Sequence, residues 1–118
     1  MLKRYIVEMG IGVDLHGGNI TKAAIKGVKE ATSKSCLCGV EDILGLPPEK
    51  MHVHVKIGTT QPDQVDVEAV KKAVPVGTAE VEVVQGGLEA DGLKVKAFGE
   101  GSTIQIVVVA LTVWVEVP

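Results

Sequence analysis

The chain has 118 residues, 46% of them hydrophobic and only 3% aromatic, with a formal charge of -3 at neutral pH and an isoelectric point near 5.6. That length suits a single α/β domain over residues 1–118, with a core that needs neither a disulfide nor a structural metal. The acidic balance offers no clustered positive charge for nucleic acid or an anionic membrane, and Tyr5, Phe98 and Trp114 are too few for a base-stacking platform.

Residues 2–9 predict a first strand that alternates Tyr5, Val7 and Met9 with Arg4, Ile6 and Glu8. Lys3 and Arg4 precede an apolar run that Glu8 and then glycines interrupt, too short for a signal-peptide core, so a cytoplasmic protein is expected. A glycine loop follows over residues 10–18. Asn19 or Thr21 then caps a helix reaching to about Ser35, with Ile20, Ala24, Val28 and Ala31 as its apolar stripe. Gly27 inside that helix costs about 1 kcal/mol relative to alanine, which points to close packing on the sheet.

Residues 36–50 read as a loop holding Pro47 and Pro48. Its cysteines, Cys36 and Cys38, sit too close for a relaxed disulfide and closer than the usual two-residue zinc spacing. A second strand over Met51 to Ile57 alternates Met51, Val53, Val55 and Ile57 with His52, His54 and Lys56. A second helix is predicted from about Asp66 to Val74, ended by Pro75. Another strand covers Ala79 to Gln85, followed by Gly86-Gly87 and a turn at Asp91-Gly92. The last strand, Thr103 to Val117, is the most hydrophobic stretch, yet it falls short of the roughly 20 residues a membrane helix needs, and its β-branching suits a sheet.

The order βαβαββ predicts an α+β fold, an α/β two-layer sandwich whose mixed sheet carries both helices on one face. The uncovered face is then expected to hold Arg4, Glu8, His52, His54, Lys56, Glu80 and Glu82. The final strand is apolar on both sides from Ile104 to Leu111, more than a half-solvated sheet requires, which points to a homo-oligomer packing part of that face.

Chemistry concentrates in Gly-Ile-Gly-Val-Asp-Leu-His-Gly-Gly at residues 10–18. A glycine loop entering a helix presents backbone N–H groups to an anionic metabolite, with Gly10, Gly12, Gly17 and Gly18 as ligand-binding candidates, while Lys56 is either a further anion contact or, the favoured alternative, a cross-strand partner of Glu80 or Glu82. Leu15 breaks the dinucleotide pattern, and the Gly-Lys-Ser/Thr ending of a P-loop is missing. Asp14 and His16 are the catalytic candidates, the carboxylate orienting the imidazole as acid or base. The same two residues with His52 and His54 are the candidate ligands of a divalent metal.

Gly10, Gly12, Asp14, His16 and Gly17 match a Gly-x-Gly-x-Asp-x-His-Gly signature, and the chain thereby resembles a family of uncharacterised conserved hypothetical proteins of the Lin type. The likeness extends to Val-His-Val-Lys-Ile-Gly at 53–58 and Val-Glu-Val-Val-Gln-Gly-Gly-Leu at 81–88. The resemblance implies a compact domain similar to the two-layer chorismate-mutase-like architecture, which uses subunit interfaces for ligand sites, and it brings no established reaction. Three functions are open: an enzyme of hydrolase or lyase type acting on a small metabolite at the Asp/His loop near a subunit interface, a non-catalytic ligand- or metal-binding module, and a structural assembly subunit.

Overall fold

The computed structural model describes residues 1–94 and 102–118, so Phe98 lies outside the described residues. Five strands form one sheet: β1 (Leu2–Asp14), β2 (His52–Thr59), β3 (Thr78–Gln85), β4 (Leu88–Asp91) and β5 (Thr103–Glu116). The path across it is β1-β5-β2-β3, with β4 also on β5. β5 runs antiparallel to β1 and β2, whereas β2 and β3 are parallel. Strands β1, β2 and β3 therefore point the same way, and their carboxyl ends gather at one end of the sheet. Helices α1 (Ile20–Thr32), α2 (Gly39–Asp42) and α3 (Val67–Lys72) complete the chain. The expected α+β sandwich with a mixed sheet is the fold observed.

The apolar stripe of α1 is buried as its periodicity requires: Ile20, Ala24, Val28 and Ala31 are all in the core with Ala23. Asn19 caps the helix, its side chain accepting from the Lys22 N–H at 3.0 Å, and the helix stops at Thr32 rather than Ser35. Helix α3 starts after Asp66, whose carboxylate accepts from the Ala69 N–H at 3.2 Å, and it buries Val70. Facing them, β2 buries Val53, Val55 and Ile57, and β5 buries Val107, Val109, Leu111, Val113 and Val115. With so few rings available, this core is nearly all small β-branched and aliphatic side chains.

Four local features depart from the sequence expectations. First, β1 does not end at Met9; it continues to Asp14, so Gly10 and Gly12 are strand residues rather than loop residues. An added Cβ would stand 2.2 Å from the Gly27 carbonyl oxygen at Gly10 and 1.6 Å from the Ala23 carbonyl oxygen at Gly12. The backbone of α1 thus rests directly on the backbone of β1, and only glycine leaves room for it. Gly27 is the helix side of the same contact, where a Cβ would lie 2.7 Å from Val109 Cγ2.

Second, a bulge between Arg4 and Ile6 breaks the alternation of β1. One extra residue flips every later side chain to the other side of the sheet. Arg4, opposite Trp114, stays on the uncovered face, but Glu8 pairs with the buried Leu111 and so turns toward the helix layer. Val7, Met9 and Ile11 are correspondingly placed on the uncovered face, where all three are exposed. Third, the short strand β4 pairs with the start of β5, from Leu88 opposite Ile106 to Asp91 opposite Thr103. A helical turn, α2, likewise interrupts the loop expected over residues 36–50.

Candidate functional site

At the carboxyl end of β1, the chain reverses through Leu15–Gly18 and enters α1. Gly17 and Gly18 carry positive φ angles of 84° and 62°, a conformation that side chains resist. Asp14 closes the turn: it is buried, and its Oδ2 accepts from the backbone N–H of Asn19 at 2.8 Å. Asn19 in turn caps the helix. The carboxylate therefore ties the end of the strand to the start of the helix, and His16 sits half-buried between them. Removing the carboxylate exposes a donor that has lost its charged partner, so Asp14→Ala is expected to cost about 2 kcal/mol of stability in urea denaturation. A variant as stable as the parent would show that Asp14 is held for some purpose other than the fold.

The buried polar residues among those described are Asp14, Thr59 and Gln105, and the strands place them at the same end of the sheet. Asp14 pairs with Gln105 across β1 and β5, and Thr59 is the last residue of β2. A hydrogen-bond network joins two of them, Gln105 and Thr59, to their neighbours. Glu89 of β4 accepts at Oε1 from Thr60 Oγ1 at 2.5 Å, Gln105 Nε2 at 3.0 Å and Gln61 Nε2 at 3.1 Å. Those donors, Thr60 foremost and then Gln105 and Gln61, hold the Glu89 carboxyl below the usual glutamate value of 4.5. Gln85 Nε2 joins the network by donating to the Thr60 carbonyl at 3.2 Å. The carboxyl ends of parallel strands are where open α/β sheets receive ligands. Here, however, the network's own donors already engage the carboxylate.

None of these glutamines and threonines stands out in the sequence, because Thr59-Thr60-Gln61 reads as an ordinary polar strand end and Gln85 as another. The one available signal was Gln105, the single polar position in the otherwise apolar run from Ile104 to Leu111.

The four residues considered for a divalent metal are not brought together. Asp14 is opposite Gln105 and His54 is opposite Thr112, seven residues apart on β5, or about 23 Å along a strand. Asp14 also turns to the helix layer, whereas His52 and His54 lie on the uncovered face. Among the described residues, no group of three or more His, Cys, Asp or Glu side chains could hold a metal ion. Cys36 and Cys38 are free and exposed.

On the uncovered face the two histidines have a different setting. Together with Arg4, Glu80 and Trp114 they line an open cavity of about 580 Å³. His54 Nε2 lies 3.2 Å from Glu82 Oε1. Lys56, exposed, stands across from Glu82 in the register of β2 and β3. It is next to the apolar half of the face, where it lines one cavity with Gly10, and Gly17 and Gly18 are not part of that cavity.

The outer edge of β1 is covered near its carboxyl end. The Ile11 N–H donates to Glu30 Oε1 at 3.3 Å, and Lys26 Nζ donates to the Val13 carbonyl at 3.2 Å. Glu30 also accepts from Lys34, and the two donors, Lys34 first, keep its carboxyl below the usual glutamate value. Side chains of α1 thus occupy backbone groups through which another strand would have to pair.

With this geometry in place, comparison with known proteins gives two findings. A family described as "Conserved hypothetical protein (Lin0512_fam)" matches residues 4–113. The chain belongs to the Lin0512 family. The crystal structure of an FtsZ-like protein of unknown function from Nostoc punctiforme is similar to this Lin0512 protein at 33% identity, with a TM-score of 0.90 and 98% of each chain covered. No curated protein matches. No helix among the described residues is long and apolar enough to cross a membrane.

Proposed function

We propose that the protein is a subunit of a homo-oligomer assembled through the uncovered face of its sheet, and that the polar end of that face binds a small anionic metabolite beside the subunit boundary. The observation that carries this reading is the apolar strip formed by Val7, Met9 and Ile11 of β1 with Val108 of β5, which are 45%, 70%, 51% and 42% exposed. Ile11 lies opposite Val108, Met9 opposite Ala110, and Val7 opposite Thr112, so the strip is continuous. Gly58 and Val84 extend it across β2 and β3. Contiguous apolar surface of this kind is unusual on a monomer and characteristic of an interface core.

The face rather than the edge is the better candidate for association, because Glu30 and Lys26 already occupy the edge of β1. Along the same face the character changes from apolar to polar. Arg4 supplies a fixed positive charge, His52 and His54 supply ring nitrogens beside Glu80, and Trp114 supplies an apolar wall. A second subunit seated on the apolar half would narrow the cavity at the polar half. This reading joins the assembly and ligand-binding alternatives. The catalytic one has less support, since Asp14 is engaged in closing the loop ahead of α1.

Sedimentation velocity of the full chain at micromolar concentrations tests the assembly. A dimer or larger species is expected, and a monomer throughout would overturn it. For the ligand, citrate serves as the probe. It is expected to raise the melting temperature of the parent but not of Arg4→Ala, whose side chain is exposed and adds little to the fold. Equal response of the two proteins, or of neither, would remove the anion site.

A further inference from the structure

The bulge in β1 has a second effect, on the helix side of the sheet. It turns Glu8 toward the layer where the core is packed, opposite the buried Leu111. The half-buried carboxylate accepts one side-chain hydrogen bond among the described residues: Ser35, just beyond α1, donates its hydroxyl to Glu8 Oε2 at 2.6 Å. The remaining capacity of the carboxylate faces a cavity of about 440 Å³ between the sheet, the end of α1, α2 and the connection from α3 to β3.

The cavity has two kinds of surface. Met51, Val53, Leu111 and Val113 form an apolar floor, with Leu37 and Val74 beside it. The charged groups that line it are all carboxylates, Glu8, Glu41 and Asp42, with no lysine, arginine or histidine among the lining residues. Its volume falls within the range of small-molecule sites, which combine apolar walls with a few placed polar groups. A hydrocarbon on that floor would remove core side chains from water. An anion would meet only like charge, and a neutral molecule would gain at most a hydrogen bond without the charge pairing an ammonium group adds.

We propose that this cavity binds a small amphiphilic cation, a primary ammonium group on a hydrocarbon body, with Glu8 as the anchor of the ammonium and the strand side chains as the seat of the hydrocarbon. The site lies on the opposite side of the sheet from the apolar strip, so it stands or falls independently of the assembly proposed above.

The test uses three probes of matched length, hexylammonium, 1-hexanol and hexanoate, titrated into the full chain and followed by amide NMR. Shifts are expected to localise at Leu37, Met51, Val53 and Val76. Hexylammonium should bind about tenfold more tightly than hexanol, and hexanoate most weakly. Glu8→Gln should bring hexylammonium to the level of hexanol. Val76→Trp, at an exposed position on the rim, should weaken both probes by filling the mouth, and it keeps the test decisive if Glu8→Gln does not fold. Hexanoate binding as well as hexylammonium, shifts centred elsewhere, or Val76→Trp binding like the parent would each overturn the proposal.

Discussion

Gly12→Ala is expected to remove more than about 3 kcal/mol of stability, enough to leave a marginally stable domain largely unfolded at room temperature. The new Cβ would stand 1.6 Å from the Ala23 carbonyl oxygen and 2.6 Å from the Gly27 amide nitrogen. Both are backbone atoms in the middle of α1, so no rotamer change can relieve the overlap. The helix must lift off the sheet, and with it the buried faces of Ala23, Gly27 and Val28. Gly17→Ala makes the contrast. Its Cβ meets nothing within 4 Å, but φ is 84°, so the cost is conformational, about 1 kcal/mol. Urea denaturation followed by circular dichroism separates the two. A Gly12→Ala protein within about 1 kcal/mol of the parent would show that the helix yields easily, and the close backbone contact would lose its role.

That pair of glycines also shows where the sequence was legible and where it was not. The elements with a clean period were readable: the alternation of β2 and the apolar stripe of α1 are governed by local geometry, and each appears where the pattern places it. Gly27 was readable as a packing residue because a glycine within a helix has a cost that something must offset. Gly10 and Gly12 looked like a loop because glycine is scarce in strands, and only the neighbouring helix explains them. Their role is set by a contact about fifteen residues away in sequence, from Gly12 to Gly27, which no local pattern contains.

The bulge between Arg4 and Ile6 had a larger consequence. Simple alternation groups Arg4 with Glu8, and the structure separates them onto opposite faces. Nothing in Arg4-Tyr5-Ile6 marks the extra residue, since no glycine or proline stands there. The face assigned to Val7 and Met9 was reversed for the same reason. Conversely, the doubly apolar β5 did signal an uncovered face with apolar character, because a central strand displays both of its sides in one stretch of sequence.

At the candidate site, Asp14 and His16 were conspicuous because they are polar residues among glycines. The structure gives Asp14 a position at the junction of β1, β5 and α1, and it gathers Thr59, Thr60, Gln61, Gln85, Glu89 and Gln105 at the same end of the sheet from β2 and its following turn, β3, β4 and β5. Residues that converge from separate strand ends leave no spacing to read. The histidines of β2 were correctly seen to share one face, but a shared face is not a shared site with Asp14, because the sheet lies between them.

Met9→Glu is the substitution expected to act most strongly on assembly. Met9 is 70% exposed in the single chain, so a glutamate there remains hydrated in the monomer and should change its stability by no more than about 0.5 kcal/mol. In an oligomer built on the uncovered face the same carboxylate would be buried among Val7, Ile11, Val108 and their counterparts, without a partner. Desolvating an unpaired charge costs several kcal/mol, and a symmetric interface repeats the cost in each subunit. The expected result is a folded monomer by sedimentation velocity under conditions where the parent is oligomeric, with an unchanged far-ultraviolet circular dichroism spectrum. Met9→Leu, which keeps the apolar surface, should assemble like the parent. If Met9→Glu retains the parent's oligomeric state, the subunits meet somewhere other than this face, and the apolar strip would need another occupant.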